Sequence, residues 1–249
     1  MKYIKVCLRR ALLSRRFFIA LFCISIINFI GRPPWQFQDV LSFADNSDGF
    51  LYLTPALAGL SFSAIYTEDR ACRIQGLIAV RCGKICYMSA NAIAIIISSF
   101  LCVCLGKVIS IFIAKMWLPW ATESSVSAYC LRYMGNLLEE GHIVPFLICA
   151  RLCEAAVCTM EVMLAACVSV YVSSKLIVWI APIIGHFVCT YGLWYAGVPA
   201  TYSVTRIIEG RLYNGPLVDT AILVFGIGGM ITLLAICYIH AGKRGLENA

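Results

Sequence analysis

Charge is what this sequence has least of. Asp, Glu, Lys and Arg together make up 13% of its 249 residues, about half the ~25% of an average soluble domain. Histidine is scarcer still: there are 3, namely His142, His186 and His240, each in a different segment. No H-E-x-x-H and no G-x-S-x-G occurs, so no set of nucleophile, base and metal ligands for hydrolysis is visible. There is no G-x-x-x-x-G-K-[ST] either, because Gly83-Lys84, Gly106-Lys107 and Gly242-Lys243 are followed by Ile, Val and Arg. The chain therefore does not bind ATP through a P-loop. Gly226-x-Gly228-Gly229 has no strand before it and fits helix packing rather than a nucleotide fingerprint.

What is abundant is apolar. Hydrophobic residues make up 61% of the chain, with a mean hydropathy of +0.85, and they come in long blocks. A membrane span needs about 20 mostly apolar residues. Six blocks qualify, at about 16–31, 50–66, 86–105, 144–172, 175–196 and 217–239. The expectation is an all-α polytopic membrane protein in which residues 1–249 form a single transmembrane domain. The first block follows basic residues, as a signal peptide would. Gly31-Arg32-Pro33-Pro34-Trp35 follows it instead of a small-x-small cleavage site, so a retained signal anchor is expected.

Basic residues near span ends set orientation. Lys2, Lys5, Arg9, Arg10, Arg15 and Arg16 place the N-terminus inside, and Lys243 and Arg244 do the same for the C-terminus. The loop with Asp39, Asp45 and Asp48 falls outside, as does the mixed loop from about Gly106 to His142. The net charge of +7 is thus mainly a topology signal. A nucleic-acid surface would need those charges on one soluble face, so no nucleic-acid partner is expected. Cysteine is frequent, at 14 residues, but mostly in or beside apolar blocks, where it packs as a small apolar residue. Neither Cys102-x-Cys104 nor the pair Cys149 and Cys153 has a histidine to complete a metal site, so no metal is expected.

Three constellations remain. In the third block Ala90, Ala94, Ser98, Cys102 and Gly106 recur every four residues, a ridge of small side chains that lets helix backbones approach closely. In the fourth, Arg151, Glu154 and Glu161 form a polar stripe. Arg151 and Glu154 can pair at i, i+3, whereas Glu161 finds no positive charge at i±3 or i±4 and needs a partner on another helix, water or a proton. Such a stripe either braces the bundle or lines a conduit or subunit seam. The loop from Ala196 to Pro216 mixes Pro and Gly with Ile207, Ile208 and Leu212, as an interfacial or re-entrant element would.

The segment from Glu68 to Lys84, between the second and third blocks, is half charged and half apolar. On one helix Ile74, Leu77, Ile78 and Arg81 share a face at i, i+3, i+4 and i+7. A short amphipathic cytoplasmic helix is expected, resting on lipid headgroups or gripped by a soluble partner.

Glu68 and Asp69, the apolar run Ile74, Leu77 and Ile78, and the basic Lys84 after a turn together resemble the coupling helix of the type-2 ATP-binding-cassette exporter permeases. Cys72 stands where that family has its usual Gly, and Arg81 stands near its usual Pro. The number of spans, the inside termini and the total length are similar as well. The resemblance implies a permease in the plasma membrane, paired with a second permease subunit, identical or homologous. A separate soluble ATPase dimer would bind Mg-ATP, and this chain would hold no cofactor and catalyse no reaction itself. Two rivals stand beside it: a non-transporting scaffold or immunity-type membrane protein, and a membrane enzyme built on Glu154 and Glu161.

Overall fold

The computed structural model describes residues 2–31, 36–45, 52–130, 132, 134–192, 195, 197 and 222–247. The loop expected over Ala196–Pro216 lies, Gly197 apart, outside the described residues. Among those residues the fold is all-helical, with no strand.

The N-terminal half runs through α1 (Lys2–Leu12), α2 (Arg15–Gly31), α3 (Val40–Asp45), α4 (Leu53–Leu60), α5 (Ile65–Ala71), α6 (Gln75–Cys82) and α7 (Lys84–Lys115). After it come α8 (Glu123–Tyr129), α9 (Asn136–Glu139), α10 (Ile143–Tyr171) and α11 (Lys175–Phe187), which continues as a π-helical turn over Val188–Gly192. A second π-helical turn, Ile222–Ile227, leads into α12 (Gly228–Glu247).

Among the described residues four helical stretches are long and apolar enough to cross a membrane: Lys84–Lys115, Ile143–Tyr171, Lys175–Gly192 and Val224–Glu247. A fifth results if the helices Tyr3–Leu12 and Arg15–Ile30, bent by 47°, count together. This length and apolarity are compatible with a multi-pass membrane protein. The second expected block is broken. Its turn over Ser61–Ala64 is held by hydroxyls that bond back to their own helix: Ser61 Oγ donates to the Ala58 carbonyl and Ser63 Oγ to the Gly59 carbonyl, both at 2.7 Å. Such local bonds compete with helix continuation, so α4 and α5 each fall short of a span.

α7 and α10 form the centre. α10 packs on α4, α7, α11 and α12, and α7 packs on α1, α2, α4 and α12. The small-residue ridge lies in this core: Ala90, Ala94, Ser98, Cys102 and Gly106 are all buried. At Gly106 an added Cβ would come within 2.7 Å of Ile24 on α2, so only glycine allows the two helices this close. The ridge is thus occupied by the chain's own helices.

α1 carries Lys5, Arg9 and Arg10 outward and buries Cys7 and Ala11. After α1 comes Ser14, whose Oγ accepts from the Phe17 amide at 3.1 Å and caps α2. α1 meets α7 at Tyr3 and Tyr87, whose ring centroids are 6.2 Å apart. α12 meets α7 one residue on, where Gly242 lies against Met88. α1 and the C-terminal end of α12 therefore sit at the same end of the bundle, with α6. At the other end α3, α8 and α9 cap it through Val40, Leu41 and Phe43 packed on Ile111, Leu118, Leu138 and Phe146.

Candidate functional site: a buried polar row on one helix

A helix that is apolar all round needs no ionisable residue, and each one buried there is costly unless paired. α10 carries three. Arg151 donates to Glu154 Oε2 at 2.7 Å, the pairing expected from their spacing. The other oxygen, Glu154 Oε1, is met at 2.9 Å by Lys107 Nζ from α7. Lys107 also donates to Asn28 Oδ1 on α2 at 3.1 Å, and Asn28 Nδ2 reaches Ser110 Oγ at 3.3 Å. One carboxylate thus meets two cations, all three buried, and the cluster joins α2, α7 and α10.

The sequence assigns Lys107 to an outside loop beginning near Gly106. The structure corrects this: α7 runs on to Lys115, because Val108, Ile109, Ile111, Phe112 and Ile113 extend its apolar pattern past the single lysine.

Glu161, about two turns further along α10, finds its partner on the neighbouring helix. His186 Nδ1 lies 2.8 Å from Glu161 Oε1, with both side chains buried. Among the described residues Glu161 Oε2 and His186 Nε2 have no hydrogen-bond partner. The ring of Tyr52 meets the imidazole edge-on at 5.4 Å. Between the two carboxylates Ser99 Oγ on α7 donates to Thr159 Oγ1 at 3.4 Å. The row therefore reads charge cluster, hydroxyl pair, carboxyl–imidazole pair. Among the described residues no three His, Cys, Asp or Glu side chains converge as metal ligands.

His186 was not among the sequence's candidates, because helical spacing identifies partners only on Glu161's own helix. A signal was present. Only Val172–Ser174 separate α10 from α11, so the two run antiparallel. Glu161 and His186 each lie roughly ten residues, or about 15 Å, from that turn.

The second group of candidates, Glu68 to Lys84, is not one helix. Glu68 and Asp69 lie on α5, and Arg73 (φ 56°) turns the chain into α6. Gly83 (φ 85°), in a conformation that favours glycine, turns it again, so Lys84 opens α7. Asp69 is fully buried and receives Arg10 and the Tyr87 hydroxyl, each at 2.9 Å. Glu68 pairs with Arg16 and is 3.5 Å from Lys175.

The apolar face expected on α6 is divided as well. Ile78 packs on the main core, and Ile74, Gln75 and Ala79 turn the same way. Leu77 and Val80 point away from it, 66% and 87% exposed, with Arg81 beside them. The helix thus has an anchoring side and a free apolar side.

No family model, curated protein or solved structure matches the chain.

Proposed function

We propose that the chain is the membrane-spanning permease subunit of a type-2 ATP-binding-cassette exporter. It would lie in the plasma membrane with both termini in the cytoplasm. The six crossings of this reading are α2, the broken α4–α5 pair, α7, α10, α11 and α12. ATP binding and hydrolysis fall to a separate soluble ATPase dimer, and a second permease subunit completes the pathway.

One observation carries the reading. α6 connects two helices of the bundle, is fixed to the core by Ile78 and Ala79, and turns Leu77 and Val80 outward. A soluble partner that grips the free side can move the bundle through the anchored side. The buried contacts of Asp69 with Arg10 and Tyr87 carry that movement into α1 and α7. A conduit gains direction only if its two states differ in affinity for the solute, and the polar row on α10 is the part of the bundle equipped to differ. The enzyme reading fits less well, since Lys107 and Arg151 already engage the Glu154 carboxylate that would serve as acid or base.

The test is co-purification from native membrane in mild detergent. The wild-type chain should carry a soluble subunit that hydrolyses ATP. Leu77→Asp, a charge in the centre of that interface, should cost several kcal/mol of binding and release the subunit while the chain still inserts. A Leu77→Asp protein that keeps its ATPase would sink the assignment.

A further inference from the structure

The bend between α1 and α2 walls a cavity of 190 Å³, several times the ~30 Å³ that one water takes up in the liquid. Arg10, Ser14, Arg15 and Arg16 line it from the bend, and Ser61, Phe62, Ile65 and Glu68 line it from the break between α4 and α5 and the start of α5. Guanidinium groups, two hydroxyls and one carboxylate, Glu68, which Arg16 and Lys175 already engage, therefore share the cavity with bare hydrocarbon.

The charges do not balance. Arg10 is held by Asp69, while Arg16 and Lys175 share Glu68. Arg15 is exposed and makes no ion pair among the described residues. Four cations thus stand against two carboxylates, and the surplus is set in the wall of a cavity rather than spread over an open face. Arginine forks match the oxygens of a phosphate group better than a point charge does. The apolar side, in turn, suits a ligand that is not wholly ionic.

We infer that this cavity binds a phosphate group, with an anionic phospholipid headgroup as the source that its mixed walls fit. The inference does not depend on the exporter reading, because it concerns only the bend and the α4–α5 break, and it holds in either leaflet. A headgroup seated there joins α2 to the broken segment that leads into α6.

Native mass spectrometry of the full chain in detergent tests it, with phosphatidylglycerol, phosphatidylcholine and inorganic phosphate as separate probes. Phosphatidylglycerol should be retained in preference to phosphatidylcholine. Arg15→Gln should weaken that binding about fivefold, the effect of one basic charge at a lipid surface. Arg15→Lys should restore most of it. Arg9→Gln removes the same charge from the exposed side of α1, outside the cavity, and should leave binding unchanged. Because Arg15 is exposed and unpaired, its variants should unfold at the wild-type temperature, which separates lost binding from lost fold.

An equal loss in Arg9→Gln would overturn the site in favour of diffuse attraction. So would the absence of both a phosphatidylglycerol preference and phosphate binding. Inorganic phosphate binding that Arg15→Gln weakens, without a lipid preference, would support the phosphate site and place its source in solution.

Discussion

Glu154 and Glu161 share one face of one helix and are equally buried, yet they are held by different chemistry. Glu154 meets a lysine and an arginine. A guanidinium does not give up its proton in a protein, so that carboxylate is held in a fixed ionic cluster. Glu161 meets an imidazole, a group that can be either a cation or neutral. The pair can exist as two ions or as two neutral groups, and each partner keeps one unpartnered polar atom. The first site is suited to clamping three helices together. The second is suited to a change of state. A buried carboxylate is thus defined less by its depth than by whether its partner can discharge.

The strongest attack on this contrast is Glu154→Gln. It strands Lys107 and Arg151 in the bundle with no anion, and breaking a buried pair in this way costs about 3–5 kcal/mol. Thermal unfolding in detergent should show a fall on the order of 10 °C in Tm. Adding Lys107→Gln removes one of the two stranded cations and should recover part of the loss. A Glu154→Gln protein as stable as wild type would mean that the cluster is not a clamp.

A third carboxylate sharpens the contrast. Asp39 is as buried as Glu154, but among the described residues its hydrogen-bond donors are all neutral. Its Oδ1 accepts from the Ser42 amide at 2.8 Å and caps α3, and its Oδ2 accepts from the Thr122 amide and hydroxyl at 2.7 Å and from Ser125 Oγ. Burial alone would raise its pKa, but the hydrogen bonds from Ser125, Ser42 and Thr122 outweigh it and hold the carboxyl at about 2. The folded value lies below the ordinary one. The stabilisation is therefore complete above about pH 4 and is lost as pH falls from 4 towards 2. Asp39→Asn should cost on the order of 1–2 kcal/mol at neutral pH and should flatten stability across that acid window. An unchanged acid profile in the variant would show that neutral donors do not carry this carboxylate.

These partners differ in how far they could be read from sequence. The long helices were legible because apolar runs are long and local: α10 falls within a residue of its expected block, whereas α12 overlaps its own but runs on past it to Glu247. The Arg151–Glu154 pair was legible because i, i+3 spacing is local too. The break in α4–α5 was not, because Ser61 and Ser63 sit in an otherwise apolar run and act through bonds to their own backbone. Lys107 was misplaced because one charge ended a hydropathy window that the helix ignores. His186 required knowing which helices are neighbours, and the short α10–α11 turn was the only hint. The division of α6 into two apolar sides follows from where the core lies, which periodicity alone does not contain.

The smallest effect on stability, and the one that tests the contrast most directly, is expected from Glu161→Gln. The amide keeps the shape of the carboxyl and can donate to or accept from His186 Nδ1, so the 2.8 Å contact can persist. Removing the anion strands no fixed cation, because a neutral imidazole is an ordinary state of histidine. The loss should stay below about 1 kcal/mol, the usual range for one altered hydrogen bond, against several for Glu154→Gln. Under the permease reading the same change should alter transport-coupled ATP hydrolysis more than it alters Tm, because it removes the carboxyl of α10 that faces an imidazole rather than fixed cations. His186→Ala is the companion variant: it strands the Glu161 carboxyl in hydrocarbon and should cost more than Glu161→Gln. Paired measurements of Tm and coupled hydrolysis on the three proteins decide the matter. If Glu161→Gln is as destabilising as Glu154→Gln, the two sites are the same kind of clamp. If it leaves both Tm and hydrolysis untouched, the carboxyl–imidazole pair only fills space between α10 and α11.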